Sequence, residues 1–354
     1  MKRQLLGVAA ILLSISTYAQ DNPLWMRYCA ISPDGTTIAF TYKGDIYTVP
    51  STGGRASQIT TNPAHDTKPI WSPDGKKIAF ASDRMGSMDI FEVNKEGGIP
   101  KRLTTHSGNE TPVAYKDAGH ILFLANIMPT AEDAQFPSGQ FQQVYEVNTE
   151  GGRPILFSSM PMEDISINHT GNTLLYHDKK GYEDPWRKHH TSSITRDIWL
   201  CSLNGNRTFR KQTAFNGEDR TPVWASDDKS FYYLSEEKGS FNIFKRDIDG
   251  NTSKQITNHT KHPVRFLSAA SNGTLCYGYD GEIYTVKEGA IPQKVQISIV
   301  TDKNDKDLIR QIKRSGATEI SLSSDAKEIA FVLRGDVYVT STEYSTTKQI
   351  TNPP

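Results

Sequence analysis

Two short motifs recur along the chain at intervals of 40 to 54 residues. The first is a turn signal, clearest as Ser-Pro-Asp-Gly at residues 32–35 and 72–75. The second is a polar residue followed by a β-branched residue and an aromatic one. Its polar positions are Asp45, Asp89, Gln143, Asp197, Asn242, Glu282 and Asp336. A period of this length indicates stacked supersecondary units, so the repeat constrains the fold before any other feature does.

Each repeat contains four strand-like runs separated by turn signals. In the first repeat, Ile38, Phe40 and Tyr42 alternate with Ala39 and Thr41, which is the period of two expected of a β-strand. A Pro-Asp-Gly sequence between two such runs is typical of a tight turn. Four-stranded antiparallel sheets repeated about an axis form a β-propeller, whose radial packing protects the sheet edges. The sequence therefore predicts an all-β fold, a β-propeller.

The aspartates of the two motifs are expected to be structural. Asp34 and Asp74 occupy turn positions, and an aspartate precedes the β-branched residue in four of the seven repeats. A residue that returns in unit after unit usually stabilises that unit, through side-chain hydrogen bonds to nearby backbone N–H groups. We therefore expect these carboxylates to hold turns and strand ends rather than to catalyse a reaction.

The first nineteen residues have the features of a secretory signal peptide. Lys2 and Arg3 form a basic start, residues 5–15 are apolar, and the small residue Ala19 precedes the predicted cleavage point. The apolar run is too short to cross a bilayer, and no other segment of the sequence is apolar enough to do so. We expect secretion across the inner membrane and a periplasmic location, with no membrane span.

Charge and cysteine content narrow the possible functions. The 354 residues include 40 basic and 40 acidic side chains, for a formal net charge of zero, which argues against a nucleic-acid partner. The three cysteines, Cys29, Cys201 and Cys276, are odd in number and have no metal-ligand spacing. We expect them to be buried thiols that act as small hydrophobic residues.

Three segments interrupt the repeat, at residues 125–140, 178–197 and 289–316. Loops carry function more often than the scaffold that supports them. The second segment concentrates aromatic and cationic side chains, which are typical of docking surfaces. These candidate binding residues are Trp186, Arg187, Lys188, His189 and His190. We expect them to contact another domain or a peptide; the alternative is a loop folded back onto the propeller.

Polar residues also precede the first strand of several repeats, where propeller loops line the mouth of the central channel. The candidates for peptide or partner binding there are His65, Asp66, Glu110, Asp219 and Arg220. The alternative is that they are solvated loop residues. The common catalytic motifs are absent from the sequence, including Gly-x-Ser-x-Gly and His-Glu-x-x-His. We therefore predict no catalytic residue, no metal site and no cofactor in this chain.

Several strings resemble a known family. The stretch SPDGKKIAFASDRMGSMDIFEV resembles the WD40-like repeat of TolB-type propellers. The ordered set PLWMRYCAISPDGTTIAFTYKGDIYTVP, GYEDPWRKHHTSSITRDIW and GATEISLSSDAKEIAFVLRGDVYV resembles the amino-terminal part of tricorn-like serine peptidases, in the carboxy-terminal-processing peptidase family. The likeness runs from about Pro23 to the last residue.

The resemblance implies a domain order. In that family a six-bladed propeller is followed by a second propeller, a PDZ-like domain and a catalytic core. Applied here, it implies a six-bladed propeller over residues 20–290, a connection over 291–316 and the first blade of a second propeller over 317–354. The alternative is one seven-bladed ring. No residue of this chain matches the family's catalytic residues, so none is assigned.

The predicted function follows from the resemblance. The chain is expected to be the non-catalytic propeller of an exported tricorn-like serine peptidase, gating or scaffolding peptide substrates for a catalytic domain outside this chain. Its expected partners are peptides or unfolded protein, and the downstream PDZ-like and protease domains of the same polypeptide. The alternative is a stand-alone, periplasmic TolB-like module for protein interaction.

Overall fold

The computed structural model describes residues 23–126, 141–182, 184, 186, 187, 192–300 and 313–351. Within these ranges the regular elements are all β-strands, and no helix has the length and apolar character of a membrane span. The all-β prediction is thus confirmed. The chain divides into two compact units, Met1–Ile299 and Val300–Pro354.

Six four-stranded antiparallel sheets follow one another through the described part of the first unit, and we number them 1 to 6. Sheets 1 to 3 and the short β4 use β1 (Arg27–Ile31), β2 (Thr37–Tyr42), β3 (Asp45–Pro50), β4 (Gly54–Arg55), β5 (Ser57–Gln58), β6 (Asp66–Trp71), β7 (Lys77–Ser82), β8 (Asp89–Asn94), β9 (Lys101–Arg102), β10 (Glu110–Asp117), β11 (His120–Ala125), β12 (Gln143–Asn148) and β13 (Ile155–Ser158).

The rest of the first unit repeats this arrangement. Sheets 4 to 6 and the short β26 use β14 (Glu163–Ile167), β15 (Thr173–His177), β16 (Ile198–Ser202), β17 (Thr208–Lys211), β18 (Asp219–Trp224), β19 (Ser230–Ser235), β20 (Asn242–Asp247), β21 (Ser253–Gln255), β22 (Arg265–Ala269), β23 (Leu275–Tyr279), β24 (Glu282–Val286), β25 (Gln293–Lys294) and β26 (Ile297–Ser298). Each sheet has consecutive strands as neighbours, except that β5 replaces β4 in sheet 1.

The turn aspartates act as predicted. Asp34 accepts hydrogen bonds from the Ser32 hydroxyl at 2.5 Å and from the Thr36 backbone N–H at 3.0 Å. Asp74 accepts the equivalent bonds from the Ser72 hydroxyl and the Lys76 N–H, at 2.7 and 3.1 Å. Each carboxylate thereby fixes the turn between the first and second strand of its sheet.

The polar residue that begins the third strand acts on the backbone both directly and through a threonine. In sheet 5 the Ile243 N–H donates to the Thr257 hydroxyl at 2.9 Å, and that hydroxyl donates to the Asn242 side chain at 3.0 Å. The Asn242 side chain also accepts directly from the His259 N–H at 2.7 Å, so the expected bond to a backbone N–H is present here and the threonine bond adds to it. Threonine makes the same bond in other sheets: Thr60 to Ile46, Thr104 to Ile90, Thr213 to Ile198 and Thr351 to Val337.

Six apolar clusters lie between consecutive sheets and close the first unit into a ring. Sheet 1 packs on sheet 2 through a cluster that includes Ile46 and Phe80, and the next clusters join sheets 2–3, 3–4, 4–5 and 5–6. The sixth cluster joins sheet 6 back to sheet 1 and includes Cys29 and Cys276. The parallel pair of β26 with β4 adds a backbone link at the same junction. This closed packing of sheets is a β-propeller.

The first strand of each sheet is innermost, and it begins beside a turn of the preceding sheet. Backbone N–H groups at these starts donate to that turn: Asp66 to Gly44 at 2.6 Å, Glu110 to Met88 at 2.7 Å, Asp219 to Arg196 at 3.0 Å, Val264 to Phe241 at 2.9 Å and Met26 to Gly281 at 3.1 Å. The bond repeats around the ring, so the inner strands start on one face. We call it the top face.

The second unit contains one four-stranded antiparallel sheet in its described residues, with β27 (Ala317–Leu322), β28 (Glu328–Leu333), β29 (Asp336–Ser341) and β30 (Thr347–Gln349). Phe331 and Tyr338 stack across it at 5.6 Å between ring centroids. Sheet 1 has the same cross-strand pair in Phe40 and Tyr47, at 5.8 Å. The sheet therefore follows the plan of the others, while the predicted domain boundaries stay predictions.

Candidate functional site

The inner strands are irregular at a fixed position. A break in the pairing register interrupts the first two strands of all six sheets. In five of them a residue there has a positive φ of 48° to 57°, in the left-handed region that non-glycine residues seldom adopt. Bulges of this kind re-aim a side chain near functional sites. These axial residues are Tyr28, Lys68, Asp164, Thr221 and Phe266.

The axial side chains contact one another between sheets. The Thr221 hydroxyl donates to Asp164 at 2.7 Å, and the rings of Tyr28 and Phe266 are 4.8 Å apart. The Lys68 ammonium lies 5.8 Å from the centroid of the Tyr28 ring. Burial lowers the pKa of Lys68, against the opposing effect of the Asp164 carboxylate, and burial raises the pKa of Tyr28.

Sequence reasoning missed the axial residues, although a signal exists. Each lies four residues before the first residue of the turn that follows it, as with Tyr28 before Ser32 and Lys68 before Ser72. The side chains at this position include aromatic, cationic, acidic and hydroxyl groups.

In the segment between β15 and β16, the described residues 178–182, 184, 186, 187 and 192–197 include several that contact the top face. Lys180 bonds to Asp197 and donates to the Thr195 carbonyl at 2.7 Å, which ties the segment to its own sheet 4. Farther along, the Arg187 guanidinium donates to Glu218 at 2.7 Å and to Glu236 at 2.7 Å. We call this segment the crossing segment.

Arg187 belongs to a buried network of charges. Glu218 is fully buried and also pairs with Arg196 at 2.8 Å and with Arg220 at 3.5 Å. Burial opposes ionisation of Glu218, but these arginines outweigh it and lower the pKa of the carboxyl. Burial alone would lower the pKa of Arg187. The hydrogen bonds that its guanidinium donates to Glu236 and Glu218 outweigh burial and raise that pKa. The side chain of Arg187 is only 4% exposed, so it anchors the crossing segment in the propeller.

Trp186, in the crossing segment, contacts residues of sheets 6 and 1. The Arg265 guanidinium donates to the Trp186 carbonyl at 2.9 Å. The guanidinium carbons of Arg265 and Arg27 each lie 5.1 Å from the centroid of the indole. The indole also makes edge contacts with Phe266 at 5.9 Å and with Tyr28 at 6.5 Å. Trp186 thus stands between two arginines, with 43% of its surface exposed.

A cavity of about 460 Å³ opens beside this tryptophan. Its walls are aromatic and cationic, and the His262 ring lies 3.1 Å from the Asp280 carboxylate there. The residues that define its chemistry are Trp25, Arg27, Trp186, Arg265, Phe266 and Tyr279. Guanidinium groups over aromatic faces attract carboxylates and flat π-systems. Within the described ranges, no group of three or more His, Cys, Asp or Glu side chains could hold a metal ion.

The structure separates the residues that the sequence grouped together. Trp186 lines the cavity and Arg187 is buried beneath it, which is the alternative of a loop folded onto the propeller. Lys188, His189 and His190 lie outside the described residues. His65 is exposed.

Four other candidates, Asp66, Glu110, Asp219 and Arg220, are buried. The alternative of solvated loop residues is therefore wrong for these four, since the starts of the inner strands are packed between sheets. Their role in binding stays a prediction.

These buried carboxyls sit at junctions between sheets and are not equivalent. Asp66 pairs with Arg84 at 2.9 Å, whereas burial raises the pKa of Glu110 and of Asp219 to about 7. Arg220 lies 4.1 Å above the Phe241 ring, and its burial lowers its pKa to about 10. Protonation near neutral pH therefore affects the packing of the propeller at more than one junction.

Six four-stranded sheets that pack in a closed ring define a β-propeller module. Comparison with known proteins identifies the family of this propeller. The family described as "Tricorn protease N-terminal beta propeller domain" matches residues 23–290. The chain belongs to this family.

Individual proteins similar in sequence to this chain include tricorn protease homologues. Tricorn protease homolog 1 of Streptomyces coelicolor is 25% identical over 281 residues, which are 78% of this chain and 25% of that protein. The tricorn protease homolog of Saccharolobus solfataricus is 27% identical over 330 residues, 89% of this chain and 28% of that protein. The chain thus spans roughly a quarter of the length of these relatives. The crystal structure of the tricorn protease covers 94% of this chain with 32% of its own, at a TM-score of 0.67 and 21% identity, which shows the same fold.

Proposed function

We propose that this chain is the non-catalytic amino-terminal propeller of an exported, tricorn-like serine peptidase. In this role it gates or scaffolds peptide substrates for a catalytic region that lies outside these 354 residues. The crossing segment supports a gating role, because it leaves sheet 4 and reaches sheets 5, 6 and 1 on the top face. The exposed face of Trp186 and the cavity beside it are then the contact surface for peptides.

We further propose a six-bladed propeller over residues 20–290, a connection over 291–316 and the first blade of a second propeller over 317–354. Six sheets with six apolar junctions in the described residues support the six blades, with the fourth strand of the sixth sheet, β25, lying at Gln293–Lys294, just past residue 290. The matching turn and threonine bonds of the sheet in the second unit support the last part. There, Ser323 donates to Asp325 at 2.6 Å and Val337 to Thr351 at 3.0 Å.

The cavity favours one kind of peptide. Arg27 and Arg265 place two guanidinium groups against aromatic walls, so acidic and aromatic side chains are the expected contacts. A cavity of about 460 Å³ accommodates one or two side chains rather than a folded domain. An extended, unstructured peptide is therefore the ligand that fits.

A binding assay tests the proposal on the full chain. A fluorescently labelled unstructured peptide rich in glutamate and tyrosine is titrated with protein, and anisotropy reports binding. We expect Trp186→Ala to weaken binding about ten-fold or more, as loss of a central aromatic contact does. Tyr182→Ala is the matched control, since Tyr182 lies in the same segment and is 88% exposed. Unchanged affinity of the Trp186→Ala variant would overturn the peptide role of this cavity.

The size and location of the native protein test the rest. An immunoblot of fractionated source cells with antibody to this segment is expected to show a periplasmic band far above 39.5 kDa. A band near that mass would favour the stand-alone, TolB-like interaction module instead. A cytoplasmic band would contradict export.

A further inference from the structure

Two of the three cysteines meet where the ring closes. Cys29 is on β1 and Cys276 is on β23, so nearly the whole length of the first unit separates them in sequence. Both belong to the apolar cluster that joins sheet 1 to sheet 6. Cys201 lies in a different cluster, between sheets 3 and 4.

The two residues are in close contact. The Ser268 hydroxyl lies 3.5 Å from the Cys29 carbonyl oxygen and 3.4 Å from the Cys276 carbonyl oxygen. The same hydroxyl accepts from the Ile31 N–H at 3.0 Å, which holds β1 against sheet 6. All three cysteines are buried free thiols in the structure, and the Cys29 thiol donates to the Phe266 carbonyl at 3.4 Å. Burial, with the neighbouring Cys29 thiol, raises the pKa of Cys276.

We propose that Cys29 and Cys276 form a disulfide that covalently closes the propeller ring between its first and sixth sheets. A propeller whose termini meet at one junction is most easily opened there. A crosslink at that point restricts the unfolded chain through a very long loop, the arrangement in which a disulfide restricts it most. Cys201, with no described cysteine beside it, stays a thiol.

The chemistry needs an oxidant, and a small-molecule disulfide such as glutathione disulfide is sufficient. The Cys29 thiolate attacks one sulfur of the oxidant, which forms a mixed disulfide and releases one glutathione thiol. The Cys276 thiolate then attacks the Cys29 sulfur, which forms the protein disulfide and releases the second glutathione thiol. Two protein thiols are oxidised and one disulfide is reduced to two thiols, which carry the two protons.

Burial determines when this reaction occurs. Cys29 is 4% exposed and Cys276 is 0% exposed, so the folded ring shields both thiols from an oxidant. The bond therefore forms during folding, before sheets 1 and 6 close. An oxidising compartment, which the proposed export provides, is where such bonds persist. The test below uses purified protein and does not depend on export or on peptide binding.

Counting thiols tests the proposal. The full chain is unfolded, refolded with reduced and oxidised glutathione, then denatured again and alkylated for intact-mass measurement. We expect the wild type to take up one alkyl group. Apart from the mass of that group, it should be about 2 Da lighter than the reduced protein, because the disulfide lacks two hydrogens. The same treatment should leave two alkylated thiols in Cys29→Ser and in Cys276→Ser, and none in the matched control Cys201→Ser.

Three alkylated thiols in the refolded wild type, or two in Cys201→Ser, would overturn the proposal. These counts decide it even if Cys29→Ser and Cys276→Ser fold poorly. Thermal unfolding gives a second readout. The oxidised wild type is expected to melt about 5–10 °C above the reduced protein, while the melting temperature of Cys29→Ser does not respond to reductant. Equal melting temperatures of oxidised and reduced wild type would contradict a ring-closing role.

Discussion

Two junctions of the propeller are built differently. Between sheets 1 and 2, the contact is a fully buried apolar cluster around Ile46, Ile78 and Phe80, all from positions of the repeat. Between sheets 4 and 5, an apolar cluster is also present, but the top face carries a buried network centred on Glu218. The crossing segment supplies Arg187 to that network. The repeat thus builds an apolar cluster at each junction, with a buried carboxyl such as Asp66 at the start of an inner strand, and the insertion adds Arg187 to the charges between sheets 4 and 5.

The difference separates packing that stabilises the ring from contacts that position the inserted segment. Buried ion pairs bring a desolvation cost that apolar packing avoids, so they are weak contributors to stability as a whole. They do fix geometry, because each guanidinium requires its carboxylate at one place. We infer that the network around Glu218 positions the crossing segment and Trp186 rather than stabilising the ring.

The apolar junction gives the largest expected loss. Phe80 is fully buried and faces Phe91 at 6.1 Å between ring centroids. Phe80→Ala should lower the free energy of unfolding by about 4 kcal/mol, through lost burial and the cavity that remains. Chemical denaturation measures this, with the half-exposed Phe209→Ala as control. A loss under about 1 kcal/mol would contradict an apolar junction at this place.

Removing the central carboxylate should have the next largest effect. Glu218→Gln leaves Arg187, Arg196 and Arg220 buried around a neutral amide, with a loss of about 3 kcal/mol because unpaired buried charge is costly. Glu237→Gln is the control, since Glu237 forms a surface pair with Lys238. If both variants denature alike, Glu218 does not carry the network.

A smaller effect concerns pH at the junction of sheets 2 and 3. Burial raises the pKa of Glu110 from 4.5 to about 7, so the folded state keeps a proton that the unfolded chain loses near pH 4.5. The stabilisation from this proton is full below pH 4.5 and is lost as pH rises to 7. Glu110→Gln should therefore melt above wild type at pH 8 and close to it at pH 4.5. The same difference at both pH values would contradict a raised pKa.

The repeat was enough to predict the sheets and their turns. Asp34 and Asp74 act locally on the backbone two residues away, and such contacts follow from sequence spacing alone. The threonine bond was missed for a related reason. Thr257 reaches Ile243 across the sheet, and its role becomes visible only when the strands are in register.

The site was harder to predict because its contacts are distant in sequence. Arg187 was expected on a docking surface, yet Glu218 and Glu236, far along the chain, draw it into the propeller. The proximity of Cys29 and Cys276 depends on closure of the whole ring. Composition alone identifies the crossing segment as aromatic and cationic. It does not predict which side chains of that segment are buried.

The most direct test of this account is the thermodynamic stability of Arg187→Ala compared with Trp186→Ala. The account places Arg187 in the packing of the propeller and Trp186 at its surface. It predicts a loss of about 3 kcal/mol for Arg187→Ala, since Glu218 and Glu236 lose a buried partner, and a loss of about 1 kcal/mol for Trp186→Ala. Arg187→Ala within 0.5 kcal/mol of wild type, roughly the effect of a neutral surface change, would contradict it and return the crossing segment to a docking role.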